Sequence, residues 1–236
     1  SQAFHLTQIN DMQRRLIAHI RAGNTTDFAD APMVVDATVY TDPAQLAREK
    51  AEIFGQVPLL ACLSVDMPNP GDVMLFEDAG PPILITRDKD GEVHAFLNVC
   101  MHRAAKVATE CGRHARLTCR FHAWTYDLKG KLIGIPGKEG FEGIDPAQRN
   151  LRRVPVVEWQ GMIFVKTEVS DAAIDITEWL GDFAPQLAML RLGETVPVCK
   201  STLETAANWK LMLDTHGEGY HFASLHADTL AQNIIP

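Results

Sequence analysis

The sequence predicts an α+β protein: a helical arm, then a small all-β module, then the start of a second α+β domain. Three observations predict it. Apolar residues recur at helical spacing near the start, the period shortens and turn residues crowd in from about residue 57, and helical spacing returns after Asp175. The expected boundaries are 1–55, 56–168 and 169–236.

Over 6–22, Leu6, Ile9, Met12, Leu16, Ile17 and Ile20 form one apolar stripe, so a helix is expected from near Thr7 to Gly23. A polar loop follows over 24–32. Thr41-Asp42-Pro43, a capping residue ahead of a proline tolerated in the first turn, signals a second helix running to about Phe54. Residues 71–77 and 83–86 read as strands, and Asp88-Lys89-Asp90-Gly91 as the hairpin turn into 92–98. Residues 126–132 form another hairpin, 134–155 a Gly- and Pro-rich surface connection, and 161–166 the end of the β block. Beyond it, Ile176, Trp179, Leu180 and Phe183 share a helix face. A strand is expected over 196–204 and a helix over 207–224.

The 236 residues carry a formal net charge of −8 and a mean hydropathy of −0.06. That balance argues against nucleic-acid binding and opposes adsorption to anionic lipid. The apolar run at 57–63 falls far short of the roughly 20 residues that span a bilayer, and no signal peptide is visible. Five cysteines lack the even count and spacing of a disulfide framework, which points to a reducing cytoplasm. Cys62, Cys111 and Cys199 read as ordinary thiols.

The other two belong to the most informative pattern in the chain. Cys100-Met101-His102 is followed, sixteen residues later, by Cys119-Arg120-Phe121-His122. Structural zinc uses the same ligand types, but usually pairs its cysteines and then its histidines. Here each segment supplies one of each. That alternation suits a Rieske [2Fe–2S] cluster, with both thiolates on one iron and both imidazoles on the other.

The segments Asn98-Val99-Cys100-Met101-His102-Arg103 and Cys119-Arg120-Phe121-His122-Ala123-Trp124-Thr125-Tyr126 resemble the cluster loops of Rieske-type ring-hydroxylating oxygenase α subunits. The chain has Met101, Ala104 and Ala123 where that family commonly has Pro, Gly and Gly. Respiratory Rieske proteins join their loops by a disulfide. The matching positions here are Ala105 and Phe121, so the oxygenase or ferredoxin type is favoured.

Two histidines five apart can reach one metal, and with one carboxylate they make the facial triad of non-haem Fe(II) oxygenases. His221 and His226 lie in Asn208-Trp209-Lys210 … Glu218-Gly219-Tyr220-His221 … His226, a stretch similar to the iron-binding segment of the same α subunits. The resemblance makes His221 and His226 iron ligands. It makes Glu218 the acidic bridge, usually Asp, between an iron-ligand histidine and the second Rieske histidine, here His122, of a neighbouring subunit. Asp214 is expected to orient His221, and Trp209 and Tyr220 to pack, Tyr220 with the alternative of a bond near the bridge. His216 could line the pocket or face solvent. Gly217 and Gly219 lower helix propensity and hint at a distorted helix. The family's third ligand is a carboxylate well downstream. Only ten residues follow His226, with Asp228 their single acid, so the chain is expected to be a fragment.

The resemblance implies an all-β Rieske domain between the helical arm and the start of a helix-grip (START-like) catalytic domain. It implies a terminal oxygenase, using a [2Fe–2S] cluster and Fe(II) to activate O2 and hydroxylate, dihydroxylate or demethylate an organic, aromatic-type substrate. It further implies a ferredoxin or flavin reductase as electron donor, and a homotrimer or α3β3 assembly. The competing reading is a Rieske electron-transfer or redox-binding protein without oxygenase activity.

Overall fold

The computed structural model describes residues 11–23 and 29–232. The expected helix start near Thr7 and most of the 24–32 loop lie outside them. Seven α-helices are present among the described residues: α1 (Asp11–Ala22), α2 (Thr38–Thr41), α3 (Pro43–Glu49), α4 (Ile176–Leu180), α5 (Ala184–Ala188), α6 (Trp209–Gly217) and α7 (Phe222–Leu225). Helix α1 stops as expected at Gly23, whose φ of 71° is left-handed. Pro43 opens α3, and a π-helical stretch, Lys50–Phe54, carries that segment to Gly55.

Among the described residues, ten strands follow the helical arm: β1 (Leu59–Leu63), β2 (Asp72–Phe76), β3 (Ile83–Arg87), β4 (Val93–Leu97), β5 (Gly112–Arg113), β6 (Leu117–Thr118), β7 (Thr125–Tyr126), β8 (Leu132–Gly134), β9 (Val156–Trp159) and β10 (Met162–Val165). They form three antiparallel sheets, ordered β1-β10-β9, β4-β3-β2-β5 and β6-β7-β8. Strands β1 and β9 went unread in the sequence because short apolar runs lack a diagnostic period. Each gains its identity by pairing with β10, which is buried along its whole length.

The chain divides into two compact units, 44–202 and 1–43 with 203–236. In the first, Ile83, Ile85, Ala95, Ile163 and Val165 fill one apolar cluster. A second, built on Val73, Leu84, Phe96, Leu117 and Tyr126, also contains Cys100 and Cys119. Polar ties join the sheets: Arg87 donates through both Nη atoms to the Glu158 carboxylate at 2.9 and 2.7 Å, and Thr86 Oγ1 donates to the Leu128 carbonyl at 2.6 Å. At the 126–132 hairpin, Gly130 has φ of 80°, and a Cβ there would stand 2.3 Å from the Phe96 ring. Only glycine fits that corner.

The Asp88 turn is a dense polar knot. Its carboxylate, 1% exposed, accepts from the Asp90 and Glu92 amides, pairs with His94 Nε2 at 2.8 Å and meets Lys129 Nζ at 3.1 Å. Burial alone would raise its pKa, but the bonds from His94, Lys129 and the two amides outweigh that and hold it well below the ordinary range. A carboxyl depressed in the folded state stabilises it above the unfolded pKa, and that stability is lost as pH falls from about 4 toward the folded value. Asp88→Asn should therefore cost about 3 kcal/mol at pH 7. Its urea midpoint should also fall less steeply than the parent's between pH 5 and pH 2, both read by urea titration.

Four expectations are corrected. The strand over 196–204 is absent: nothing among the described residues pairs with it, and Val196 and Val198 are 78% and 94% exposed. A strand without a partner has no ladder to satisfy its backbone. Trp179 and Phe183 are about half exposed, so the buried side of α4 rests on Ile176. The 134–155 connection is not all surface, since Leu151 and Val154 are buried. The helix expected over 207–224 is broken in two, for reasons that belong to the site.

Candidate metal centres

The two ligand loops are built alike. In the first, the Cys100 amide donates to the Ala105 carbonyl at 2.8 Å and the Ala104 amide donates back to Cys100 at 2.9 Å. In the second, the Cys119 amide donates to Trp124 at 2.9 Å and the Ala123 amide to Cys119 at 2.9 Å. Each closure needs a left-handed residue at the same place, and Ala104 (φ 59°) and Ala123 (φ 55°) occupy it. A Cβ there costs about 1–2 kcal/mol. These are the positions where the resembled family commonly has glycine, so the geometry explains that preference. Ala104→Gly and Ala123→Gly should each stabilise the protein by about 0.5–1 kcal/mol after glycine's own entropy cost, measured as a higher urea midpoint.

The loops leave β4 and β6 and meet over the second apolar cluster. Cys100 and Cys119 are 3% and 2% exposed, and both are free thiols. His102 and His122 lie edge to face with ring centroids 4.6 Å apart. His102 stacks on Trp124 at 4.9 Å, whereas His122 is exposed beside Phe121. Nδ1 of His102 is buried and has no hydrogen-bond partner. An orphaned buried ring nitrogen is costly unless something electrophilic meets it. The donor set, two sulfurs and two imidazoles, fits a [2Fe–2S] cluster.

Tyr126, fully buried, was not singled out from the sequence as a site residue. Its Oη accepts from the Met101 amide at 3.1 Å, which leaves its own proton for Cys100 Sγ at 3.4 Å. Burial raises the phenol pKa well above its ordinary value. Burial also raises the Cys100 thiol, although Tyr126 opposes it. For His102 burial comes first, then His122 and Arg103, and all three lower its pKa and favour the neutral ring that can ligate. Asn98, 0% exposed, supports the first loop: its side chain donates to the Ala108 carbonyl and accepts from the Val107 and Ala108 amides at 2.8–3.0 Å.

The second constellation lies in the other unit. Asn208 caps α6, its Oδ1 accepting from the Lys210 amide at 3.0 Å. The helix stops after Gly217 because Glu218 is extended (φ −132°, ψ 153°), and α7 starts only at Phe222. The break turns the Glu218 carboxylate onto the following residues. It accepts from the Tyr220 and His221 amides, and its Oε1 pairs with His221 Nδ1 at 2.5 Å. The His221 bond, above all, holds the Glu218 pKa below the carboxylate range. With Nδ1 engaged, His221 keeps Nε2 for a metal. The His226 ring lies 5.3 Å from that of His221, and Phe222 stands edge-on to both.

Two expectations change here, and a third, open between two alternatives, is resolved. The carboxylate on His221 is that of Glu218; Asp214 accepts instead from Tyr40 Oη at 2.7 Å. Tyr220 is 95% exposed among the described residues and so is not a packing residue there. His216 is exposed, with Nδ1 2.6 Å from the Met212 carbonyl. Trp209 is half-buried, and Asp228 is exposed.

Comparison with known proteins adds to this geometry. Residues 57–155 match the family described as the Rieske [2Fe-2S] domain, and 192–233 match the ring hydroxylating alpha subunit (catalytic domain). Over 192 residues the chain is 32% identical to the glycine betaine monooxygenase oxygenase subunit of Chromohalobacter salexigens, covering 81% of this chain and 42% of that protein. Over 196 residues it is 32% identical to the anthranilate 1,2-dioxygenase large subunit of Acinetobacter baylyi, covering 80% and 41%. The chain thus spans less than half the length of these curated relatives. Among solved structures, the quaternary ammonium Rieske monooxygenase CntA with L-carnitine matches with a TM-score of 0.76 at 27% identity, covering 84% of this chain and 56% of that one. Naphthalene 1,2-dioxygenase from Rhodococcus sp. matches with a TM-score of 0.76 at 25% identity, covering 97% and 52%.

Proposed function

The chain belongs to the Rieske-type ring-hydroxylating oxygenase α subunits as an N-terminal part, and from that premise we propose that it carries the electron-entry half of a terminal oxygenase. Cys100, His102, Cys119 and His122 hold the [2Fe–2S] cluster, and His221 and His226 contribute two ligands to a mononuclear Fe(II). When bound, the cluster supplies one electron at a time, and the iron supplies open coordination positions for O2 chemistry on a small organic substrate. The domain reading is an arm over 1–55, a Rieske domain over 56–168 and the opening of a helix-grip catalytic domain from 169 to 236. Its third iron ligand is assigned to the length the relatives have beyond this chain. The single observation that carries the cluster assignment is the buried, partnerless Nδ1 of His102, in the same loop as the buried free thiol of Cys100.

Each residue has a part in this reading. His122, the exposed histidine, is the exit for electrons. Glu218 is the receiving carboxylate on a neighbouring subunit, and its contact with His221 Nδ1 connects it to the iron ligand while fixing that ring. A homotrimer or α3β3 assembly supplies the neighbour, and a ferredoxin or flavin reductase the electrons. The odd cysteine count without framework spacing supports a cytoplasmic setting. No helix among the described residues is long and apolar enough to cross a membrane.

The relatives act on both quaternary ammonium and aromatic compounds, so the substrate is proposed only as a small organic molecule for hydroxylation, dihydroxylation or demethylation. Glu218→Gln in the full-length oxygenase tests the reading. Both metal centres should remain loaded while single-turnover oxidation of the reduced cluster by O2 and substrate slows by at least about 10-fold, the lower range for loss of a ligand's carboxylate partner. Unchanged cluster oxidation would refute the bridge. Iron bound to the cluster alone in the full-length parent would instead favour a non-catalytic electron carrier.

A further inference from the structure

The two histidines of the cluster loops are treated differently by their surroundings, and the difference comes from a segment the ligand motif does not contain. Phe141 ends a 3-10 turn, Lys138–Phe141, that follows the left-handed Gly137. Its half-buried ring packs onto the apolar cluster holding Cys100, Cys119 and Trp124. It stands edge-on to His102 with centroids 5.9 Å apart at 81°, and edge-on to Trp124 at 5.6 Å and 75°. Trp124 stacks nearly parallel to His102, at 8°, so the three rings form one mutually packed aromatic cluster that covers part of His102. His122 has no such cover: it is exposed, and its neighbour Phe121 is 60% exposed.

Resting on the cluster assignment above, we propose that Phe141 is a positioning residue that shields the His102 side of the cluster from water and thereby holds its reduction potential low. The charge balance sets the direction. Two ferric irons, two sulfides, two thiolates and two neutral imidazoles sum to a neutral cluster, and one electron from the donor makes it an anion. Water near the cluster favours the anion, so exposure raises the potential and dry aromatic cover lowers it. A lower potential makes the cluster a stronger donor toward the iron. The arrangement therefore limits water at half-buried His102 while leaving His122 open as the exit.

The test uses the full-length oxygenase with its cluster assembled. Phe141→Ala should shift the cluster potential upward in protein-film voltammetry, and pulsed EPR in D2O should detect stronger deuteron couplings at the reduced cluster. Phe141→Leu, which keeps apolar cover, should leave both near the parent values. An unchanged or lowered potential in Phe141→Ala would overturn the proposal. So would loss of the cluster in both variants, since Phe141 would then be needed to build the loops and not to shield them. A parent protein that assembles no cluster would overturn the assignment itself, a result distinct from a parent cluster whose potential ignores residue 141.

Discussion

Cys119→Ala is expected to abolish the visible absorption and the reduced-state EPR signal of the Rieske cluster and to remove the cluster's two irons from the full-length protein. The size of the effect follows from where the residue sits. Cys119 is 2% exposed, its amide and carbonyl close the second loop, and its thiol faces Cys100 within the same apolar cluster. No other cysteine can substitute. Cys62 is buried elsewhere, with a thiol pushed up to about 12 chiefly by burial, and Cys111 and Cys199 are exposed. Oxygenase turnover should fall to background, because electrons then have no entry. The fold should survive, since the β sheets are tied by Arg87–Glu158 and the Asp88 knot, away from the loops. Far-UV circular dichroism with iron and sulfide analysis checks both halves. A variant retaining parent-level iron, sulfide and spectrum would sink the ligand assignment.

His221→Ala should have the complementary effect: an intact cluster spectrum, loss of the mononuclear iron, and turnover reduced by more than about 100-fold. That figure is the upper end for removing a mere hydrogen-bond partner of a metal ligand, so a true ligand should exceed it. The contrast with Asp214→Asn is informative. Asp214 is bonded to Tyr40, so its replacement should leave iron content near the parent level. Metal analysis and substrate-dependent O2 uptake separate the cases. Unchanged turnover in His221→Ala would remove the oxygenase reading and leave the electron-carrier alternative standing.

Much of the β module could be read directly from the chain, and for local reasons. The 83–98 hairpin has its turn in Asp88-Lys89-Asp90-Gly91, whose side chain and glycine dictate the reversal whatever surrounds them. The 126–132 hairpin works the same way through Asp127 and Gly130. Strands β1 and β9 offered no such cue and exist through their pairing with β10. The 196–204 segment shows the converse: strand-like composition without a partner yields no strand. Over 207–224, apolar spacing favoured one helix, but Gly217 and Gly219 allowed the backbone to extend at Glu218, where the carboxylate gains two amides and an imidazole.

By itself the sequence supplied the candidate donors of both proposed centres. Residue type and loop spacing are local properties, so Cys100, His102, Cys119, His122, His221 and His226 could be named as candidate ligands without knowing any contact. Tertiary structure alone decided what surrounds those donors. Tyr126 reaches Cys100 across 26 residues and Phe141 reaches His102 across a long connection, while Glu218 and not Asp214 meets His221. The physical reason is that a ligand's chemistry travels with its residue type. Its burial, hydrogen bonding and access to water depend on which distant segments fold against it, and no periodicity records that.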